Sequence, residues 1–469
     1  MKSFLSYLKE GNMSLFTDFY ELTMCASYFD NKNFEPATFD LFIRRLPENR
    51  SYFLFAGLEE ALQYLESMKF TEEQLTYLKK QGFKRDFLDY LRYFRFKGEV
   101  WAVPEGTVAF PNEPLIRVTA PIIEAQLVET FLLNTINLQT MIATKASRVV
   151  QSAKGKPVIE FGLRREHGID AGMKVARSSY IAGCQGTSNV LAGQTYGIQV
   201  FGTMAHSFIM SYPKEIDAFR AFTKTFPNKS TLLIDTYNEI SGAEKAAVVA
   251  KELETEGFRL GGVRLDSGDL NKYSKKVRKI LDDKGLNYVK IFASGDLDEF
   301  KIRELLSDEA KIDSFGVGTK MGTSSDRPYL DMIYKLCETM TGDGKFSPIM
   351  KLSEDKITLP GRKQVYRVKN RIGFFEKDVI ALADEKVQGE PLLVKVMEGG
   401  KILQNLPSLN EIRAFAAENL SKLPVGYKAL TNAPVYSVEL SRNLQKLIKT
   451  LRQKLTINEI NYEVSDSSA

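Results

Sequence analysis

Imidazole is scarce in this chain, with only His167 and His206 among 469 residues. Histidine has the side-chain pKa nearest neutrality and serves as proton carrier, nucleophile or metal ligand. Both histidines fall within Val158–Tyr212, so imidazole chemistry is confined to that stretch. Cysteine is scarce as well. Cys25, Cys184 and Cys337 are odd in number, far apart and without CxxC spacing, which argues against a disulfide framework or a zinc site. No apolar run reaches the roughly 18 residues of a membrane span, and Lys9 and Glu10 interrupt the N-terminus where a signal peptide needs an apolar core. The expectation is a cytoplasmic protein with no membrane partner. Charge of one sign is also missing: 64 basic side chains face 59 acidic ones, for a net +5. Spread along the chain, that balance is no nucleic-acid footprint, though it suits small anionic substrates.

Several phosphate and nucleophile fingerprints are absent too. Gly316-Val317-Gly318-Thr319-Lys320-Met321 fails the dinucleotide pattern, because Met321 stands where the third glycine belongs. Neither a GxxxxGK[ST] loop nor a GxSxG elbow occurs, so a Walker-type ATPase and a serine hydrolase are disfavoured.

What is present is a soluble-protein composition, 43% hydrophobic and 26% charged, in a chain long enough for two or three domains. Residues 1–120 read as mixed α+β. Leu58–Leu65 has helical spacing, Thr71 precedes Glu72-Glu73 as a helix cap, and Val100–Val103 reads as a strand. Proline and glycine punctuate 103–117 as a small β-rich region. From Ile122 to about Ser152 an uninterrupted periodic pattern predicts one long helix, with Ala125, Val128, Phe131, Leu132 and Thr135 on one face.

Between Pro157 and about Lys335, short apolar runs alternate with helical stretches, the pattern of parallel β/α construction. The runs are Val158–Phe161, Ser188–Leu191, Gln199–Phe201, Leu232–Ile234, Gly261–Leu265, Val289–Phe292 and Ser314–Val317. Helices are expected at Ala171–Ile181, Glu215–Phe226, Gly242–Thr255, Leu270–Asp282 and Leu297–Ser307. The fold class is therefore α/β: a β/α barrel of about seven strands over residues 121–340, close to the eight of a standard barrel. Residues 1–120 and 341–469 read as α+β segments on either side of it. In the latter, 341–345 reads as a hairpin turn, Gln364–Val368 and Leu392–Met397 as strands, Leu440–Leu455 as a helix and Ser465–Ala469 as a disordered tail.

Six of the seven runs are followed by small or polar residues: Gly162-Leu163-Arg164-Arg165, Gly202-Thr203-Met204-Ala205-His206, Asp235-Thr236-Tyr237, Asp266-Ser267-Gly268-Asp269, Ala293-Ser294-Gly295-Asp296 and Gly318-Thr319-Lys320-Met321-Gly322-Thr323. Strand ends of a barrel converge on one mouth, and its last loops often bind phosphate. The last two exits are the glycine-rich ones, and glycine lets backbone N–H groups approach an anion. His206 stands at such an exit, so a functional imidazole is favoured there. His167, among charges, reads as peripheral. Lys320 could form a Schiff base in a barrel acting on a phosphosugar; a non-enzymatic phosphate sensor would use the same glycines without needing His206.

Taken together, Thr17-Asp18-Phe19-Tyr20-Glu21-Leu22-Thr23-Met24, Glu160-Phe161-Gly162-Leu163-Arg164-Arg165, Gly186-Thr187-Ser188-Asn189-Val190-Leu191-Ala192-Gly193, Gly202-Thr203-Met204-Ala205-His206-Ser207, Gly262–Asp269 and Gly316–Thr319 resemble nicotinate phosphoribosyltransferases, of the type II phosphoribosyltransferase class. The resemblance runs over nearly the whole chain. It implies ATP-coupled transfer of phosphoribosyl from phosphoribosyl pyrophosphate to nicotinate in NAD salvage, with Mg²⁺, an irregular barrel flanked by one α+β domain built from segments 1–120 and 341–469, and a homodimer with shared active sites.

By the same resemblance His206 is transiently phosphorylated, with Asp235 the candidate for orienting it. Arg164 and Arg264 face anionic groups; Phe161 and Tyr20, the latter from the partner subunit, clamp the pyridine. Thr203 and Arg264 contact nicotinate, while Gly295, Gly318 and Thr319 hold the ribose phosphate. Asp266 and Asp296 serve ribose hydroxyls or hydrated Mg²⁺. The related nicotinamide-using enzyme carries an acid in the loop around Ser188; neutral Ser188 removes a repulsion against a carboxylate and favours nicotinate over nicotinamide. Metal ligands and the ATP site are not assigned.

Overall fold

The computed structural model describes residues 13–352, 358–403 and 405–466, with side chains described to 456. The chain divides into two compact units, 141–328 and a second made of 1–140 with 329–469. The sequence reading had placed these divisions at 120/121 and 340/341.

The central unit is a six-stranded parallel sheet. Its strands are β1 (Val158–Glu160), β2 (Gly186–Thr187), β3 (Thr231–Leu233), β4 (Gly262–Leu265), β5 (Lys290–Ala293) and β6 (Ser314–Val317). They lie in the spatial order β2-β1-β6-β5-β4-β3. Val200 extends the β2 edge through a single parallel bridge to Thr187. Five of the seven expected runs form strands, Gln199–Phe201 gives the bridge, and β2 lies just ahead of the expected run Ser188–Leu191, so the barrel is irregular. Two apolar runs behave differently from expectation. Gln199–Phe201 forms only the bridge, and Ser188–Leu191 is no strand: Asn189 accepts a hydrogen bond from the Ala192 amide and caps a helix, Val190–Tyr196. An Asn side chain competing for backbone N–H groups outweighed the β-branched content of the run.

Helices follow the strands where periodicity predicts them: Ile169–Ile181, Glu215–Thr225, Glu239–Thr255, Leu270–Asp283 and Glu299–Ser307. Asn238, Asp269 and Asp298 cap the last three, each accepting from the amide three residues on. These caps satisfy N–H groups that would otherwise lack partners, which fixes each helix start close behind a strand exit. The sheet core is dry, with Val158, Ile159, Leu232, Leu233, Val263, Leu265, Ile291, Ala293, Phe315 and Val317 all buried.

In the second unit both chain segments contribute to one antiparallel sheet. Its order is Phe346–Pro348, Met332–Met340, Pro36–Ile43, Ile116–Pro121, Glu99–Ala102, Val394–Glu398 and Lys401–Ile402. A four-stranded sheet centres on Lys363–Lys369 and Phe375–Leu382. Thr71 begins Glu72–Lys80 with a full capping box to Gln74. Residues 341–345 turn between two paired strands. The expected helix from Ile122 is interrupted at Val128, giving Ile122–Leu127 and Glu129–Ser152. No proline or glycine marks the break, so periodicity alone could not reveal it. Its predicted apolar face is nonetheless buried throughout. The final helix runs Arg442–Asp466, past the expected start of the tail, and 467–469 lie outside the described residues. No helix among the described residues is long and apolar enough to cross a membrane.

Candidate active site

Arg264, on β4, joins side chains from four strand exits. Its Nε donates to Ser294 Oγ at 2.8 Å, one terminal nitrogen to Thr203 Oγ1 at 2.8 Å, and the other to Asp266 Oδ1 at 2.5 Å. The guanidinium carbon stands 5.8 Å from the centre of the Phe161 ring, within cation–π range. Ser294 in turn donates to Asp266 Oδ1 at 2.5 Å. Burial by itself would raise the Asp266 pKa, but the Arg264 charge, the bonds from Ser294 and Arg264, and nearby His206 together hold it below its ordinary value. Asp266 is therefore a carboxylate at neutral pH, and the arginine it steadies is fixed in advance of any ligand.

His206 opens the short helix His206–Met210. Its Nδ1 lies 3.1 Å from Thr236 Oγ1 and its Nε2 3.8 Å from Asp266 Oδ2. With 41% of the side chain exposed, the ring is reachable from solvent while one nitrogen is tethered.

A cavity of about 120 Å³ lies beside this cluster, lined by Phe161, Arg164, Arg165, Arg264, Asp266, Ser294, Gly295, Asp296, Leu297, Gly316, Gly318, Thr319 and Lys320. Arg165 donates to Thr319 Oγ1 at 3.2 Å across it. Glycine is required at two places on its wall. Gly295 has φ +96°, and a Cβ there would come 1.8 Å from the Asp266 carbonyl oxygen; a Cβ on Gly318 would come 2.8 Å from that of Phe161. A second cavity of about 210 Å³ shares Phe161 and is bounded by Phe201, Thr203 and Phe292. Phe161 and Phe292 meet at 5.4 Å and 53°, forming an aromatic wall between the two spaces.

Models of the nicotinate phosphoribosyltransferase family match three successive parts of the chain: the N-terminal domain over residues 15–137, the family model itself over 157–371, and the C-terminal domain over 386–448. Nicotinate phosphoribosyltransferase pncB2 of Mycobacterium tuberculosis is 46% identical, covering 94% of each chain. The chain belongs to the nicotinate phosphoribosyltransferase family. The Bacillus subtilis nicotinate phosphoribosyltransferase is 41% identical over 93% of this chain and 94% of its own. The crystal structure of human nicotinic acid phosphoribosyltransferase superposes with a TM-score of 0.84 at 30% identity, covering 93% of this chain and 99% of that one.

Within this family member, Phe161, Arg164, Thr203, Arg264, Asp266, Gly295, Asp296, Gly318 and Thr319 line one or both cavities. His206 stands beside the Arg264 cluster without lining either cavity, and three other residues named from the sequence also line neither. Asp235 makes no contact with the imidazole among the described residues: its Oδ2 accepts from the Asp266 amide at 2.8 Å and from Ser267 Oγ at 2.7 Å. It braces the neighbouring exit, and Thr236, one residue on, meets the ring. Ser188 is half-buried at the edge of the sheet, its amide bonded to the Glu160 carbonyl, and lines neither cavity. Tyr20 belongs to the other unit, on the helix Phe19–Asp30, with 46% exposure.

Sequence reasoning assigned no role to Arg165, Thr236 or Ser294. Each stands directly beside an assigned position, and only side-chain direction distinguishes them. Lys320 is held 3.2 Å from both Asp296 and Asp298. Partial burial disfavours its charge, but the two carboxylates outweigh this and raise its pKa, the opposite of what a Schiff-base lysine needs. His167 is exposed.

Proposed function

We propose that this chain transfers phosphoribosyl from phosphoribosyl pyrophosphate to nicotinate, releasing pyrophosphate and nicotinate mononucleotide, with ATP hydrolysed through a phosphate carried on His206. The observation that carries the reading is the Arg264 cluster, a fixed cation between an aromatic wall and a glycine-cleared, arginine-flanked cavity.

In the transfer step the pyridine nitrogen attacks C1′ of the ribose and the C1′–oxygen bond to pyrophosphate breaks. Positive charge grows on the ribose while negative charge grows on the leaving group. Arg164, Arg165 and Lys320 suit the phosphates, and Gly295, Gly318 and Thr319 give the ribose phosphate a close backbone approach. Thr203 and Arg264 suit the nicotinate carboxylate, with Phe161 against the ring and Tyr20 of the partner subunit opposite. Ser188 is neutral, and Asp266, the acid beside Arg264, is already paired with that arginine.

Among the described residues no group of three His, Cys, Asp or Glu is arranged to hold a metal. One or two carboxylates with substrate phosphates and waters are a usual Mg²⁺ environment, and Asp266 and Asp296 fit that limited role. Mg²⁺ would neutralise charge on the leaving pyrophosphate.

For ATP coupling, Nε2 of His206, the nitrogen that Thr236 does not hold, is the nucleophile: its lone pair attacks the γ-phosphorus and ADP leaves. Thr236 holds Nδ1 meanwhile, and water later releases phosphate. A cytoplasmic location and a homodimer complete the proposal.

The test is incubation with nicotinate, phosphoribosyl pyrophosphate and γ-labelled ATP. Mononucleotide should form, acid-labile label should appear on the protein, and His206→Ala should lose the label and ATP stimulation while retaining some transfer. Equal ATP stimulation in the variant would exclude the phosphohistidine. No mononucleotide from the wild type would exclude the transfer itself.

A further inference from the structure

The transfer chemistry makes no use of Glu166, whose position is unusual for a carboxylate. Among the described residues neither of its oxygens has a hydrogen-bond partner, and both are cut off from solvent. They lie where two turns of the phosphate cavity meet. A Cβ placed on Gly162, behind β1, would come 2.0 Å from Glu166 Oε1, and a Cβ on Gly322, behind β6, would come equally within 2.0 Å. Glycine at both places makes room for this one carboxyl. The turns it separates are those joined by Arg165 and Thr319.

The charged groups around it do not compensate an anion. Glu160 on β1 is itself acidic and accepts from Thr187 Oγ1 and from the Gly162 amide. Lys320, on the β6 side, is engaged by Asp296 and Asp298. Lys174, on the helix Ile169–Ile181, is paired with Asp170 at 2.7 Å. Arg164, Arg165 and His167, in the same turn, are exposed, and none of them bonds to it. Burial, and after it the charge of Glu160, push the Glu166 carboxyl up to about 8. A buried ionised carboxylate without donors is strongly disfavoured, so the group stays neutral or leaves its seat.

We propose that Glu166 is a positioning residue of the phosphate site, a proton-controlled wedge that, when neutral, fills the seam between Gly162 and Gly322 and holds the Arg164–Arg165 turn in register with Thr319. The inference rests on the phosphate-site reading above. Ionised, the carboxylate vacates the seam and the two turns lose their common support. A polyanionic substrate arriving beside it further disfavours the ionised form, so by linkage substrate binding and protonation favour one another.

Below the titration Glu166 already carries its proton, and binding is independent of pH. Above it, each binding event takes up a proton, and KM for phosphoribosyl pyrophosphate rises by up to about tenfold per pH unit. The substrate's own phosphates titrate near pH 6 and are ionised before this range.

The experiment is calorimetry of phosphoribosyl pyrophosphate binding in two buffers of different ionisation enthalpy, with KM for the same substrate followed from about pH 6.5 to about 9.5. Wild-type protein should take up close to one proton per site at the alkaline end. Glu166→Gln, neutral and of equal shape, should take up none and keep its acid-side KM throughout. Glu166→Ala, lacking the wedge, should bind more weakly at every pH, with no slope. A wild-type slope and proton uptake retained in Glu166→Gln, or undiminished binding in a folded Glu166→Ala, overturns the wedge alone. Failure of the wild-type protein to bind phosphoribosyl pyrophosphate overturns the phosphate site, and the wedge with it.

Discussion

At the scale of single residues, the cluster turns on which of two neighbours points inward. Asp235 and Thr236 follow the same strand, and an acid is the obvious partner for an imidazole. Instead the acid supports the Asp266 backbone and the hydroxyl meets Nδ1. A hydroxyl can donate to or accept from the ring nitrogen, so it tolerates the charge change that accompanies phosphorylation. Thr236→Val keeps the shape and removes that partner. ATP stimulation of mononucleotide formation should fall by about tenfold or more, as for a lost partner of a catalytic imidazole, with the ATP-independent rate little altered. Rates measured with and without ATP decide it, and undiminished stimulation would mean the ring is oriented otherwise. Residue types were legible from the sequence at this scale, because glycine, arginine and histidine at strand exits announce themselves. Direction was not, since at an irregular exit the period-two rule that assigns faces within a strand no longer applies.

At the scale of elements, legibility tracked length and the presence of punctuation. Leu270–Asp283, with a long amphipathic period, lies within one residue of its expected bounds, while Glu239–Thr255 starts three residues ahead of the expected Gly242, at its Asn238 cap. Two-residue strands and single bridges such as Thr187 with Val200 leave no periodic signal, which is why Ser188–Leu191 was mistaken for a strand. Here the turns behind the strands matter more than the strands. Gly295 combines a positive φ with a backbone oxygen 1.8 Å from where a Cβ would stand. Gly295→Ala must therefore displace either its own turn or Asp266, and with Asp266 the carboxylate that steadies Arg264. The expected cost is about 1–3 kcal/mol in denaturant unfolding, with a larger proportional loss of transfer than of stability. A folded variant with full activity would show that the exit has slack the geometry does not suggest.

For the whole molecule, the sequence reading anticipated that both ends of the chain would build a domain of their own, and the pairing of Pro36–Ile43 with Met332–Met340 realises it. Exposed apolar side chains also belong to this scale. The helix Phe19–Asp30 carries Phe19 at 57%, Tyr20 at 46% and Met24 at 36% exposure. Partial burial of its ring, and then Glu129, raise the Tyr20 pKa and keep the phenol neutral at physiological pH. If Tyr20 serves the site of the partner subunit, a lesion at Tyr20 and a lesion at Arg264 damage different halves of one shared site. Tyr20→Ala and Arg264→Ala, each of low activity alone, should then complement when mixed and allowed to exchange subunits. In a mixed dimer one site carries both lesions and the other neither. At equal mixing half the dimers are mixed, so activity should recover to about a quarter of wild type in a two-fold assembly. If Tyr20 acted within its own chain, every site in the mixture would retain one lesion, and no amount of exchange could restore the rate.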